Sequence, residues 1–423
     1  MSMKYKHILN ALVLAFFFVL PFEHLPTIEV ANFTVKISYI LGVAIIFTVL
    51  LNYKKNILEH RLDLGDWSLV ALFVCAALSL NRSQDFRRGL LTFLMWGFVF
   101  FLYFILFEYL KNQDRREKVE KYLLLSTFFI CIFGLYQFIA GSLDVPVQYT
   151  GLRLRYAKEV LGFPRVQSVA LEPLYFANFL LVPFFLTIKK YLFEKSKVNV
   201  YFWLLILILS NIILTVSRGA YLSLVISMAT FLIYFMVTQQ KYRQKIWLIM
   251  AAGAISVVVS LLLFVSLNGL DQFKAFGQHV VVNDSTNRVS VEGRQEGYLS
   301  AIDKFKTSPL FGMGITNSGV LSEPMIDHGE VLTYGSLNNI YLEILSELGL
   351  VGFLFFMFFL VYLIWILFKR LSSLRGHRKI SIILLSLGLF AIFIQYNFFS
   401  TLYIIYIWVF LALLKGEVID EEN

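Results

Sequence analysis

The sequence predicts an all-α, polytopic membrane protein of about 12 transmembrane helices, with one large extracytoplasmic loop between spans 9 and 10. Three observations carry this. Mean hydropathy is +0.73 and 58% of residues are hydrophobic, which sets the chain apart from water-soluble domains. Apolar runs recur near the ~20 residues that cross hydrocarbon as a helix. A single long polar stretch, residues 268–338, interrupts them. In lipid a spanning segment must satisfy its own backbone, so such runs are helices rather than open strands.

The first run, about 8–22, follows Lys4 and Lys6. It ends in Pro21-Phe22-Glu23-His24 rather than in a small-residue cleavage site, so it reads as an uncleaved first span. Five more runs cover about 35–51, 67–80, 90–110, 122–140 and 174–188. Between Tyr201 and Val237 stands one charge, Arg218. The stretch is too long for one crossing and reads as two spans, about 201–216 and 220–237, meeting at Ser217-Arg218-Gly219. The ninth run is about 246–267. After the polar stretch come about 349–368, 380–397 and 401–414. The chain thus divides into 1–267 with spans 1–9, the loop 268–338 with short amphipathic helices, and 339–423 with spans 10–12 and a short cytoplasmic tail. Cys75 and Cys131 lie inside apolar runs, where neither a disulfide nor a zinc site is expected.

Alternate connections are rich in lysine, as at Lys54-Lys55, Lys189-Lys190 and Lys241. The positive-inside rule assigns that side and both termini to the cytoplasm. It also accounts for the net charge of +9 without nucleic acid as a partner. Of the 37 basic residues, 23 fall on that side and seven of those are arginine; of the other 14, nine are arginine. Topology needs only positive charge. An excess of guanidinium on the outer side calls for another cause, and its planar fork matches phosphate oxygens in pairs. An arginine near hydrocarbon usually faces water, an anion or a partner. Arg218 at the junction, Arg153, Arg155 and Arg165 before span 6, and Arg294 in the loop are therefore candidate contacts to a phosphate or diphosphate.

Within the loop, residues 293–306 read as an amphipathic helix with Tyr298, Leu299, Ile302 and Phe305 on one face. Ser308-Pro309 stops it. That reading puts Arg294 in the first turn, where a cation opposes the helix dipole unless an anion binds. The sequence has no Asp-x-Asp pair, no His/Cys metal spacing and no phosphate-cradling glycine loop. No metal and no other cofactor is expected; arginines would have to neutralise a departing diphosphate. Candidate proton acceptors on the outer side are few: Glu172, Asp303, Asp327, His328 and Glu330. Glu343 and Glu347 share a helix face, and their reading is support rather than catalysis.

Three stretches then carry a resemblance. They are Leu214-Thr215-Val216-Ser217-Arg218-Gly219-Ala220; Gly293-Arg294 with Tyr298, Ala301 and Ser308-Pro309-Leu310-Phe311-Gly312-Met313-Gly314; and residues 338–352, beginning Asn338-Asn339-Ile340-Tyr341-Leu342-Glu343. Their order and spacing resemble the O-antigen ligase and O-antigen polymerase family of polytopic membrane proteins. The resemblance implies a metal-independent glycosyltransferase that uses undecaprenyl-diphosphate-linked glycans. It implies a multi-pass protein of the bacterial inner membrane whose active site faces the periplasm or exterior. The polymerase branch joins a lipid-linked oligosaccharide donor to the next lipid-linked repeat, building O-antigen or capsule. The ligase branch passes the finished chain to lipid A–core, making lipopolysaccharide. A chain-length regulator is a candidate partner, besides the membrane lipid. The family's arginine roles carry to Arg218 and Arg294. Tyr298, Asn338, Asn339 and Tyr341 fall in the matching stretches and are candidate substrate contacts, with Glu172 and His328 beside them.

One departure separates the branches. Family ligases place a histidine directly before the Asn-x-Tyr-Leu stretch, where this chain has Asn338. Asparagine accepts no proton at neutral pH, which favours the polymerase. A reading of another class, a transporter or flippase for an anionic lipid-linked solute, would call for inverted repeats or a polar path through the bilayer. The sequence shows neither; its polar residues gather on one side.

Overall fold

The computed structural model describes the chain except residues 1–2, 27–28, 31–32, 35, 53–61, 194–198, 282–284, 328–329, 335–336 and 420–423. Each of the twelve apolar runs falls on a helix. These are α1 (Met3–Val19), α2 (Ile37–Leu51), α3 (Leu64–Ser79), α4 (Phe86–Leu110), α5 (Gln113–Ser142), α8 (Pro173–Phe193), α9 (Val200–Leu214), α10 (Arg218–Thr238), α11 (Arg243–Val281), α13 (Ile340–Ser373), α14 (Gly376–Gln395) and α15 (Ile405–Val418). Among the described residues, eight helices have the length and apolarity to cross a membrane, and α1, α2 and α9 are shorter apolar helices. The fold class is helical, as the hydropathy predicts.

The bundle is built around α15. All 14 of its residues are buried, and it packs on α4, α14 and α13. α14 in turn packs on α8 and α10, α11 on α9, and α13 on α3. One end of the bundle collects the lysine-rich connections. There Lys415 of α15 bonds Asp66 of α3 at 2.5 Å and Asp63 at 2.9 Å. Nearby, Glu120 of α5 receives Lys189 at 2.6 Å and Lys190 at 3.0 Å from α8. Each of these carboxylates is matched by an ammonium, the condition under which ionised groups survive in a low-dielectric interior.

The other end carries the arginines. Between α5 and α8 lie two one-turn helices, α6 (Val147–Thr150) and α7 (Lys158–Leu161), and a stretch of irregular chain. The segment between α11 and α13 is more ordered than the sequence suggests. α11 bends at Gly269, whose φ is 82°. Its continuation lies against Phe163, with ring centroids 6.1 Å apart at Phe276. α12 (Ser285–Thr307) follows, then a hairpin of β3 (Val320–Asp327) and β4 (Glu330–Tyr334). The sequence reading, short amphipathic helices alone, misses this hairpin. Its strands lack clean alternation, and the register shifts between Val320 and Met325, a stretch holding a proline that cannot donate to the ladder. A second, smaller hairpin pairs β1 (Glu29–Val30) with β2 (Phe33–Thr34).

α12 starts at Ser285, so Arg294 sits well inside the helix and not in its first turn. The dipole argument for that residue is thereby withdrawn. Before Tyr298 its apolar residues are Val289 and Val291, two apart rather than three or four, so the earlier turns give no helical period to the eye.

Candidate functional site

The junction of α9 and α10 is held by two adjacent residues of a distant loop, Arg165 and Val166. Helix α9 ends with carbonyls that have no partner in their own helix. Leu214 O receives Val166 N at 3.1 Å. Thr215 O receives Arg165 Nε and Val216 O receives Arg165 Nη2, both at 3.1 Å. Val216 itself has φ 52°, a left-handed conformation that is costly for a β-branched residue and persists only where the surroundings impose it. The Arg165 fork and Val166 impose it here. The Tyr156 ring lies 5.8 Å from the Arg165 guanidinium. Burial lowers the proton affinity of Arg165, with Tyr156, Tyr221 and Glu172 opposing and Arg218 adding to the effect; an arginine in such a site remains a cation.

Two residues past Val216, Arg218 opens α10. Ser217 precedes it without a side-chain cap, so first-turn N–H groups stay open beside the guanidinium. Gly219 is required by packing: a Cβ there would meet the Phe398 side chain at 2.9 Å. The next-door residue, Asn397, accepts at its carbonyl from Tyr298 Oη at 2.9 Å. Tyr298 is one helical turn from Arg294. The turn after α14 thus docks both helices, bringing Arg294 near enough for its charge to act on Arg218. Neither guanidinium has a carboxylate partner among the described residues. Two like charges near each other, with no carboxylate partner among the described residues, are an arrangement that a multiply charged anion would relieve.

The segment between α5 and α8 supplies more positive charge. Arg153 donates to Leu171 O at 3.2 Å and is exposed, as is Arg155. Both surround Tyr156, whose phenol is pushed up to about 12 by burial first and Glu172 second, with the arginines opposing. Glu172 stands directly before α8 and acts on Arg165 through charge, while the fork itself goes to the two carbonyls. Arg165 therefore spends its fork on the fold, whereas Arg153 and Arg155 face solvent.

The remaining sequence candidates line the base of α12 and the start of α13. Asn338 has φ 55°, a conformation that asparagine and histidine tolerate better than most residues. Asn339 caps α13 by accepting from Leu342 N at 3.1 Å. Tyr341 donates to Phe393 O at 2.9 Å. His328 lies outside the described residues.

The glycines of the second and third stretches have a structural cause that the sequence alone did not reveal. α13 is broken at Gly349, with φ 67°. The strap Pro309–Gly314 runs into this break. Met313 N and Gly314 N donate to Ser346 O and Glu347 O, and Leu350 N and Val351 N donate to Pro309 O and Leu310 O. A Cβ on Gly312 would sit 2.2 Å from Glu347 O, and one on Gly349 would sit 2.4 Å from Leu310 O. Only glycine permits backbones to approach so closely. Arg82 holds the strap from the side through Gly312 O at 3.0 Å. Glu347 accepts from Ser318 Oγ at 2.6 Å, a contact that ties α13 to the chain after the strap. Lys304, lowered by burial against the pull of Glu347, donates to Asn317 O and Ser318 O. Sequence reasoning missed Arg82 and Asn317, whose roles depend on contacts more than 200 residues apart.

The fold defines a helical, multi-pass membrane protein, with a cluster of arginines at one end of the bundle. Residues 203–357 match the family model described as O-Antigen ligase. The chain carries an O-antigen ligase-like region there, and that region contains Arg218, Arg294, the strap and the break in α13. None of the curated proteins searched matches the chain.

Proposed function

We propose that the protein is a polysaccharide polymerase of the O-antigen or capsule type. It transfers a glycan from undecaprenyl diphosphate to a hydroxyl of the next lipid-linked repeat, at the outer face of the inner membrane, with twelve crossings and the lysine-rich end in the cytoplasm. The observation that carries the reading is the Arg218–Arg294 pair: the charge of Arg294 acts on Arg218, and neither guanidinium has a carboxylate partner among the described residues. In the reaction the acceptor oxygen bonds to the glycosyl C1 as the bond from C1 to the diphosphate oxygen breaks. The hydroxyl proton leaves to a base, and charge builds on the diphosphate. Arg218 and Arg294 neutralise that charge, so no metal is needed. Arg153 and Arg155 draw the anionic donor in; Arg165 fixes the junction that aims Arg218.

The ligase is the second reading, favoured by the description of the matching family and opposed by Asn338 at the histidine position. One experiment addresses both. Arg218→Lys and Arg294→Lys keep the charge and lose the paired fork. Each is expected to reach the membrane normally and to lose on the order of 100-fold in rate. The glycan ladder on a gel should collapse to single repeats. Wild-type ladders in both variants would overturn the site. Full-length chains that remain on undecaprenyl diphosphate and never reach lipid A–core would make the protein the ligase.

A further inference from the structure

A crevice of about 1020 Å³ opens between α5, α9 and α11 and runs from the lysine-rich end as far as Leu214, the last residue of α9. Helices α5 and α9 meet where Asn211 Nδ2 donates to Cys131 O at 3.0 Å, and the crevice lies between them. Leu124, Leu125 and Phe128 form one wall, Leu204 and Leu207 the other, and Leu263 of α11 closes the back. Along α5 it extends from Lys118 to Leu135, about 25 Å at the helical rise. One leaflet's hydrocarbon is about 15 Å deep, so complete acyl chains fit.

The mouth is at the lysine-rich end of the bundle. Lys118 and Lys121 stand one turn apart there, exposed, with no carboxylate partner among the described residues. Lys190 is the third ammonium of the lining and bonds Glu120 at 3.0 Å. Asp114 and Glu117 share the lip, nearer the start of α5; Gln113 engages Glu117 at 3.0 Å. Trp203, 64% exposed, lines the same mouth, and its amphipathic ring suits the headgroup level. A long apolar slot ending in two ammoniums with no carboxylate partner among the described residues and an interfacial indole fits a particular chemistry: two acyl chains below a phosphate that keeps a net negative charge.

We propose that this crevice is a binding site for an anionic phospholipid from the leaflet at the lysine-rich end. Lys118 and Lys121 straddle its phosphate, and the α5–α9 walls hold its chains. The site is separate from the glycosyl-transfer reading, since a donor diphosphate at Arg218 belongs to the opposite end. Its occupant stabilises the splayed faces of α5 and α9.

The test uses the full chain, purified and exchanged into equal amounts of phosphatidylglycerol and phosphatidylcholine, with retained lipid read by native mass spectrometry. Each lysine near a phosphate contributes about fivefold to anionic-lipid binding. The wild type should therefore retain phosphatidylglycerol over phosphatidylcholine by roughly tenfold or more. Lys118→Gln with Lys121→Gln should bring the two lipids close to equal retention. Leu207→Trp fills the slot while leaving both lysines, and should release both lipids with the helical circular dichroism unchanged. Equal retention by the wild type, or a preference that survives in both variants, overturns the proposal. So does recovery of a polyprenyl phosphate from the crevice in place of phospholipid.

Discussion

Replacing Arg165 by lysine tests whether that residue aims Arg218 or touches the substrate itself. The fork makes two charge-assisted bonds, to Thr215 O and Val216 O. Each such bond contributes roughly 1.5–3 kcal/mol net. A lysine ammonium reaches one of the two carbonyls, so the variant loses about 1.5–3 kcal/mol locally. The left-handed conformation of Val216 stores on the order of 1–3 kcal/mol, a matching amount, so the junction relaxes. Arg218 starts two residues later, and a displacement of ~1 Å at a reacting group costs about 100-fold. The assay pairs polymerisation in liposomes with maleimide labelling of Ser217→Cys, a position that is 3% exposed. Arg165→Lys should lower the rate about 100-fold and speed the labelling. Full rate with unchanged labelling would refute the clamp. A lost rate with unchanged labelling would make Arg165 a substrate contact.

Three further outcomes follow from the geometry. Gly312→Ala places a Cβ 2.2 Å from Glu347 O at φ 68° and should destabilise the protein by on the order of 3 kcal/mol or more. It should also lower Tm in detergent, whereas Gly297→Ala, whose nearest neighbour is Leu337 at 3.5 Å, should leave Tm unchanged or raised. Asn338→Gly keeps the left-handed backbone and should retain measurable polymer; complete inactivation at normal expression would show that the amide side chain is required and would strengthen the ligase reading. Polymerisation in purified liposomes should survive EDTA, and loss restored by magnesium or manganese would mean that arginines are not the groups neutralising the diphosphate.

The helices were legible because hydropathy and length act along the chain itself. Residues 201–237 split at Arg218 in sequence, and α9 and α10 part there in space. The start of α12 was not legible, since its first turns are polar and no apolar periodicity marks them. The strap and the break at Gly349 were visible only as glycines; their reason is a backbone contact between segments about 40 residues apart. Arg165 illustrates the same boundary. Its chemistry marks it as a phosphate ligand, and nothing local to it says that its fork is taken by carbonyls of α9.

The buried contact between Lys415 and Asp66 spans 349 residues of chain. Asp66 and Asp63 emerge from the ribosome with α3, and Lys415, the ammonium that bonds both, arrives with α15, after every other helix named here. Until then both carboxylates lack that ammonium, and removing one partner of a buried ion pair is costly. The bundle is therefore keyed to α15: packing is provisional until that helix slots between α4, α13 and α14. A nascent chain stalled before that point lacks the Lys415 contact and is open to membrane proteases. Lys415→Met would leave the completed chain in the same state, so its signature is rapid turnover rather than a slower enzyme.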